Sequence, residues 1–584
     1  MKPFLHMLHA FLPICLHILL LYNSNILWFG TNTIAYASGN DTDFLALIKF
    51  KDSISNDPFK ILDSWNSSTQ FCKWHGITCM NQRVTELKLE GYQLQGLISP
   101  YVGNLSFLTN CNLMNNNFYG TIPQELCRLV KLQQLYLKNN SLVGEIPPNL
   151  TILLDLKILY LLENNLVGKI PIEIGSLRKL QKLNLWNNNF TGEIPPSIGN
   201  LSSLINLNLG TNNLEGNIPP EICHLMNLEH ISVGINKMSG TLPLCLYNMS
   251  SLTLIAVDMN QFNSSLPPKM FHTLPNLQIL FMATNQFSGP IPTSITNTSV
   301  LRSFDIPQNH FTGQVPSPGK LKDLHHLGLS QNNLGSNSTQ DLEFVKSLVN
   351  CSKLNEVDIS YNNFGGPLPD SVGNMSNKLH QLYLGGNHIL GKIPAALGNL
   401  VNLYLLAMEN NSFEGIIPAS FGKFQKMQML EFSGNRLSGN IPAFIGKLNH
   451  LFHLGLGHNR LEGNIPLSIG NNQKLDYLDL SQNKLTGTIP KELFSTLFSL
   501  RELLDLSGNS LNGSLPQEVG RLENIEILNF SDNHLSGDIP GIIGKCESLE
   551  YLYLQGNSFN GVIPTSLASL KGLRHLDLSR NRLS

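Results

Sequence analysis

The stretch YLDLSQNKLTGTIPKEL, residues 477–493, holds the pattern on which the whole chain turns. Leu478 and Leu480 alternate with Asp479 and Ser481, the period of a short strand with one face inward. Asn483 stands where the chain turns in. Its amide both donates and accepts, so it is expected to pair backbone groups of neighbouring coils that burial would otherwise leave unmet. Leu485, Ile489 and Leu493 supply the other interior walls. Gly487 admits a backbone conformation or a close approach that a β-carbon resists, and Pro490 fixes φ and blocks a helix.

The same frame, L-x-L-x-x-N-x-L-x-G-x-I-P, recurs in 21 registers, most of them 24 residues apart. Twenty of the 21 place Asn at the turn, Asn140, Asn188, Asn435 and Asn483 among them; the first places Tyr92 there. We number the coils 1 to 21 from Tyr92. One coil cannot bury its own leucines, whereas stacked coils bury a continuous core. The repeat therefore predicts an α/β solenoid with a parallel sheet on its concave face. At about 4.8 Å per strand that face runs roughly 100 Å, an extended docking surface with no obvious pocket. One step, from Asn332 to Asn362, takes 30 residues and should bulge from the outer side, with Asp341 capping a short helix through Lys346. The steps to Asn285, Asn387 and Asn509 carry one or two extra residues.

Compartment is legible at the N-terminus. An apolar run, AFLPICLHILLL at 10–21, precedes an A-x-A site at Ala35 and Ala37, so residues 1–37 read as a signal peptide cleaved after Ala37. Beyond it no stretch offers about 18 uninterrupted apolar residues. Sixteen N-x-[ST] sequons fit a secreted chain carrying N-linked glycans; Asn104, Asn149, Asn189, Asn200, Asn248 and Asn374 are the sites selected. A formal charge of −2 gives no global field for nucleic acid or anionic membrane.

A solenoid needs its ends covered. Residues 38–80 read as the N-terminal cap: an apolar helix begun by Asp41 or Asp43, then FCKWHGITC, in which Cys72 and Cys79 are expected to pair. Trp65 and Trp74 give bulk to close the first coil. Cys111, Cys127, Cys223, Cys245, Cys351 and Cys546 are left open, most as small buried hydrophobes and Cys223–Cys245 as a possible bridge between coils. The solenoid, 81–584, carries no matching C-terminal closure, so it reads as incomplete there, with Leu583 on an open core edge.

Enzyme chemistry finds no support. The chain has no H-E-x-x-H, G-x-S-x-G, G-x-G-x-x-G or Walker A motif, no kinase H-R-D or D-F-G, and no cofactor is implied. His326, His453 and His458 fall on the outward strand edge and read as solvated surface residues. Asp479 and Asp505 stack on neighbouring strands but belong to the generic LDLS wording. The outward positions that depart from consensus are Tyr136, Lys138, Tyr160, Glu163, Trp186, Asp258 and Phe281, a stripe over coils 3 to 9 taken as the candidate ligand-binding residues.

The Cys72-x-Trp74-x-Gly76-x-x-Cys79 cap, the 24-residue coils and the L-x-G-x-I-P segment closely resemble the extracellular part of plant leucine-rich-repeat receptor-like Ser/Thr kinases. DLEFVKSLVNCSKL followed by FGGPLPDSVGN resembles the subfamily that holds the flagellin and elongation-factor immune receptors. The resemblance implies a right-handed leucine-rich-repeat solenoid with an additional strand beside the main sheet. It also implies capture of a peptide or protein on the concave face, pairing with a shorter leucine-rich-repeat co-receptor kinase, and residence on the extracellular side of the plasma membrane. Membrane helix and kinase would follow the segment present here. The alternative is a secreted decoy or inhibitor of a pathogen hydrolase that acts without a kinase.

Overall fold

The computed structural model describes residues 39–584; the expected signal peptide lies outside them. From the strand Arg83–Lys88 to His575–Asp577, 21 short strands pair in parallel and in chain order, preceded by the antiparallel strand Ile77–Met80. Like positions pair with like: Leu478 sits between Leu454 and Leu504. The inward leucines of these strands are fully buried, and the same hydrophobic core runs from the cap to the last coils. In coil 21, Leu576, whose counterparts are buried, is 41 % exposed.

The L-x-G-x-I-P segments build a second parallel sheet, broken into runs of eight, three and nine strands, the first run edged by the antiparallel cap strand Ile54–Asn56. Both breaks have a cause in the sequence. At residues 263–266 NSSL replaces the G-x-I wording, and after Asn333–Leu334 the long step intervenes. Gly487 shows why the segment carries glycine: its φ is +78°, and a β-carbon there would lie 2.5 Å from Asn464 Oδ1 of the coil before.

The convex side is made mainly of single 3₁₀ turns, most of them entered through a proline, as in Leu467–Asn471 after Pro466. Extra residues wind into short α-helices at the same place, Met270–Thr273 and Lys491–Thr496. The long step forms the helix Glu343–Ser347 on this side, with Phe344 packed on Phe364 at 5.7 Å. Asp341 does not cap that helix. Its buried carboxylate accepts the N–H groups of Ser336 (2.9 Å), Ser338 (2.8 Å) and, in the next coil, Gly365 (3.0 Å). The insertion has broken the second sheet here, and a side chain meets the backbone donors that the missing strand leaves.

The turn asparagines bond alike in coil after coil. Asn483 Nδ2 donates to Leu456 O (2.9 Å) in the preceding coil and to Leu480 O (3.2 Å) in its own, while Oδ1 accepts Leu461 N–H (2.9 Å). Asn140, Asn188 and Asn435 repeat this set. The residue before each sits in the left-handed region, from Asn115 (φ +57°) to Arg580 (φ +52°).

The cap begins with the helix Gly39–Asp52. Asp43 lies within it, not at its start, and is fully buried. Its carboxylate takes a bidentate pair from Arg83 (2.9 Å each) and the N–H of Val84 (2.9 Å). It therefore locks the cap to the first parallel strand instead of satisfying the helix start. Trp65 and Trp74 stack at 5.4 Å, and Cys72 bonds Cys79 with Cα atoms 5.5 Å apart. A second bridge joins Cys223 and Cys245 in adjacent coils, Cα atoms 5.8 Å apart. Cys111, Cys351 and Cys546 are buried, which pushes their thiols up to about 12, 11 and 12 and leaves them unreactive.

Replacing Asn459 by Ala removes the acceptor of Leu437 N–H (2.9 Å) and a donor to Phe432 O (3.0 Å), both buried. An unmet buried backbone group costs about 1–3 kcal/mol. At about 2 kcal/mol, amide exchange at Leu437 should accelerate about thirtyfold. Hydrogen exchange read by mass spectrometry checks this, and unchanged protection across 432–440 would refute the role given to the amide.

Candidate functional site on the concave face

The outward strand positions form the one broad surface that the repeat leaves free to vary, and the candidate residues divide there into two groups. Tyr136 and Tyr160 meet edge-on at 5.4 Å, and Lys138 pairs with Glu163 at 3.6 Å. Glu163 occupies a left-handed turn position, φ +56°, at the end of its strand. Trp186 leans across Gly210 of the next coil: a β-carbon on Gly210 would stand 3.1 Å from the indole.

Asp258 and Phe281 belong to the second group. Together with Asn206, Asn208, His230 and Ser232 they line a hollow of about 270 Å³ in the concave sheet. The long face thus contains a pocket that the repeat pattern did not announce. Small residues lower its floor. Ser232, Gly234 and Ala256 stand where other coils carry Tyr or Trp, and the Asp258 carboxylate lies over Gly234, where a β-carbon would come within 2.5 Å of Oδ1. Asn206 Nδ2 and His230 Nδ1 are 2.9 Å apart across two strands. Burial holds the Asp258 carboxyl above its usual range, its own backbone amide pulls the other way, and Asp305 adds to the rise. Larger hollows, of about 530 and 760 Å³, are crevices between successive convex turns around Phe498 and Pro466.

Beyond the hollow the face is acidic. Coils 10 and 12 present Asp305, Glu356 and Asp358; coils 14 to 18 present Glu409, Glu431, Asp479 and Asp505. Between Asp258 and Asp505 no strand carries lysine or arginine at an outward position. The histidines expected to be solvated are built into this run. His326 Nε2 contacts Asp305 at 3.0 Å and Nδ1 contacts Glu356 at 3.2 Å. His453 contacts Glu431 at 2.8 Å and stacks on Tyr477 at 4.1 Å. His458 alone of the three is exposed. Burial lowers the His326 pKa, but hydrogen bonds and charge from Asp305 and Glu356 outweigh it and raise the group to about 9. Two carboxyls without such a histidine rise: burial, with the neighbouring Glu431 and Asp358 charges adding, lifts Glu409, and burial with Asp505 and Glu431 lifts Asp479. A one-coil reading misses this run, because D in LDLS is ordinary in each coil; comparing outward positions for sign across coils would have found it.

The selected sequons lie off this face. Asn104, Asn149, Asn200, Asn248 and Asn374 fall in convex 3₁₀ turns, and Asn189 opens a strand of the second sheet. Among the described residues no group of three or more His, Cys, Asp or Glu is placed to hold a metal, and no helix is long and apolar enough to cross a membrane.

Known proteins agree on what this architecture is. The leucine rich repeat N-terminal domain matches residues 40–80, the leucine-rich repeat region matches 148–317, and leucine rich repeats match 401–461 and 523–583. Over 374 residues, 63 % of this chain, the sequence is 67 % identical to the LRR receptor-like serine/threonine-protein kinase EFR of Arabidopsis thaliana, of which that match covers 36 %. The chain thus spans about a third of the length of the curated relatives it matches. The crystal structure of the Arabidopsis receptor kinase HAESA ectodomain with an N-terminally extended IDA peptide hormone is 32 % identical, with a TM-score of 0.79 over 94 % of each chain. HAESA in complex with IDA and the co-receptor SERK1 matches over 93 % of this chain and 94 % of that one, with a TM-score of 0.78 and 32 % identity.

His326 offers a measurable pH signature. Its folded pKa is raised above the unfolded value of about 6.5, so its contribution to stability is complete below that pH and is lost as pH rises through about 9. Thermal midpoints of the wild-type chain should fall across this window, and His326→Gln should flatten that part of the profile. Parallel profiles for the two proteins would discard the bridge.

Proposed function

The chain belongs to the leucine-rich-repeat ectodomains of plant receptor-like kinases, and from that premise we propose that it is a ligand-recognition domain that captures a peptide or protein on its concave face. The hollow of coils 6 to 9 carries this reading. It is a concave, partly polar depression in the sheet, walled by an aromatic. Trp186 and Phe281 are the aromatic anchors, and Tyr136 with Tyr160 extends the contact toward the cap. Lys138 and Glu163 hold each other in place beside them.

A ligand seated along this face would present its free side to a shorter leucine-rich-repeat co-receptor kinase of the SERK1 kind, and signalling would pass through a kinase domain outside the segment described. The outer face of the plasma membrane is the setting this requires, and the paired cysteines and convex sequons with N-linked glycans suit it. Within the family we take the immune branch, because the DLEFVKSLVNCSKL and FGGPLPDSVGN segments resemble the immune-receptor subfamily.

The test uses ligand-dependent assembly. The glycosylated chain, incubated with a fractionated microbial peptide extract, should associate with a SERK1-type co-receptor ectodomain in size-exclusion chromatography. Trp186→Ala combined with Phe281→Ala should weaken that association at least tenfold and leave the thermal midpoint unchanged, because both side chains stand on the outward face of the sheet. Undiminished association of the double variant would move the ligand off this part of the concave face.

A further inference from the structure

The hollow has a chemical character of its own. Its carboxylate, Asp258, is half-buried, and among the described residues no lysine, arginine or histidine meets it in an ion pair. Phe281 forms a wall beside it, a surface on which a cation can also rest. Upstream, the concave face interleaves both signs, Lys88 with Glu86 and Lys138 with Glu163; downstream, the strands carry carboxylates without an outward lysine or arginine as far as Asp505. The excess of carboxylate therefore begins at the hollow, and His326 and His453, each held by a carboxylate, interrupt it without cancelling it.

The rim adds a second, independent observation. The residue before each turn asparagine is left-handed in every coil, and most coils fill that place with Gly, Asn, Gln, Asp or another unbranched residue. β-Branched residues occur there in only three coils, as Thr211 (φ +51°), Ile235 (φ +57°) and Thr284 (φ +54°), in coils 6, 7 and 9. A β-branched side chain is strained in that region. Ile235 is 42 % exposed, and its neighbour Met259 is 49 % exposed, so core packing does not explain why the strain is kept. Strain retained on a surface marks a place where the side chain does something other than stabilise the fold. Here it sets an apolar rim next to an unpaired carboxylate.

We propose that the hollow of coils 6 to 9 anchors a basic side chain, lysine or arginine, of a peptide ligand, and that the carboxylates of coils 10 to 18 take the remaining positive charge of the same peptide along the sheet. The proposal rests on the concave-face reading above and gives that site its ligand class. Asp258 receives the ammonium or guanidinium, Phe281 covers its flank, and Ile235 with Met259 contacts an apolar residue adjacent in the peptide. Asp305, Glu356 and Glu431 are already held by His326 and His453, so Asp358, Glu409, Asp479 and Asp505 are the carboxylates that a cationic strand would meet, and their field favours association and steers it.

A phage-displayed random dodecapeptide library, selected on the immobilised glycosylated chain at low and at physiological salt, tests this. Asp258→Asn and the double variant Trp186→Ala, Phe281→Ala serve as counter-screens, each first shown to keep the wild-type thermal midpoint. The expected result is enrichment of peptides with net positive charge and a neighbouring apolar residue. Their binding should fall at least tenfold on Asp258→Asn and weaken as salt is raised. Cationic peptides indifferent to Asp258→Asn would overturn the hollow as the anchor. Neutral or acidic peptides that depend on Trp186 and Phe281 would overturn the cationic assignment while the concave-face reading stands. No enrichment, or peptides indifferent to all three substitutions, would overturn both.

Discussion

Every coil of this protein turns inward once, and each turn would bury backbone groups that no strand can reach. In coils 2 to 21 the asparagine at that point resolves the problem with one side chain. Its Nδ2 and Oδ1 reach the coil before as well as its own, so each coil is completed by its neighbour. Everything else follows from that reciprocity. The leucines can face a shared core because the turns are closed, the strands keep one register because the amides repeat at one spacing, and most outward side chains of the concave face are released from holding the coils together.

That release is what makes the face usable. In a compact domain an outward residue often belongs to a loop whose position depends on its own contacts. Here Trp186, Asp258 and Phe281 ride on strands whose places are set by buried partners, so their chemistry can change without moving the scaffold. The same logic explains the insertion. It breaks the second sheet, yet the main sheet passes through coils 11 and 12 unbroken, because Asn362 bonds Leu329 O at 3.0 Å and Asp341 gathers the loose donors outside.

The repeat made the solenoid, its concave sheet, the second strand and the paired Cys72–Cys79 cap legible from residues alone, because those features depend on local wording repeated many times. What could not be read depends on contacts between distant words. Asp43 and Asp341 both looked like helix caps by their neighbours in sequence; Arg83 and Gly365, which claim them, lie far along the chain. The stripe of candidate residues was drawn by departure from consensus, which found Trp186, Asp258 and Phe281. It missed His230, Asn206 and Ser232, since small polar residues look unremarkable one coil at a time. The hollow exists only because two adjacent coils are small together, at Ser232, Gly234 and Ala256.

Charge on the concave face obeys the same spacing as the leucines. Adjacent strands stand about 4.8 Å apart, so carboxylates at matching positions in successive coils repel strongly unless something lies between them. Two stretches solve this with histidine. His326 stands in the coil between Asp305 and Glu356 and touches both, and His453 is held by Glu431. At Asp479 and Asp505, which pair directly in register, no histidine intervenes; Asn529 donates to Asp505 at 2.9 Å, and Asp479 is left with its carboxyl raised, by burial first and by its neighbour after. Such a run is stable only because the buried asparagines fix the strands regardless of what the surface would prefer. A fold held by its surface would have spread these charges or interleaved lysines among them. This one keeps them aligned, as the ladder beneath permits.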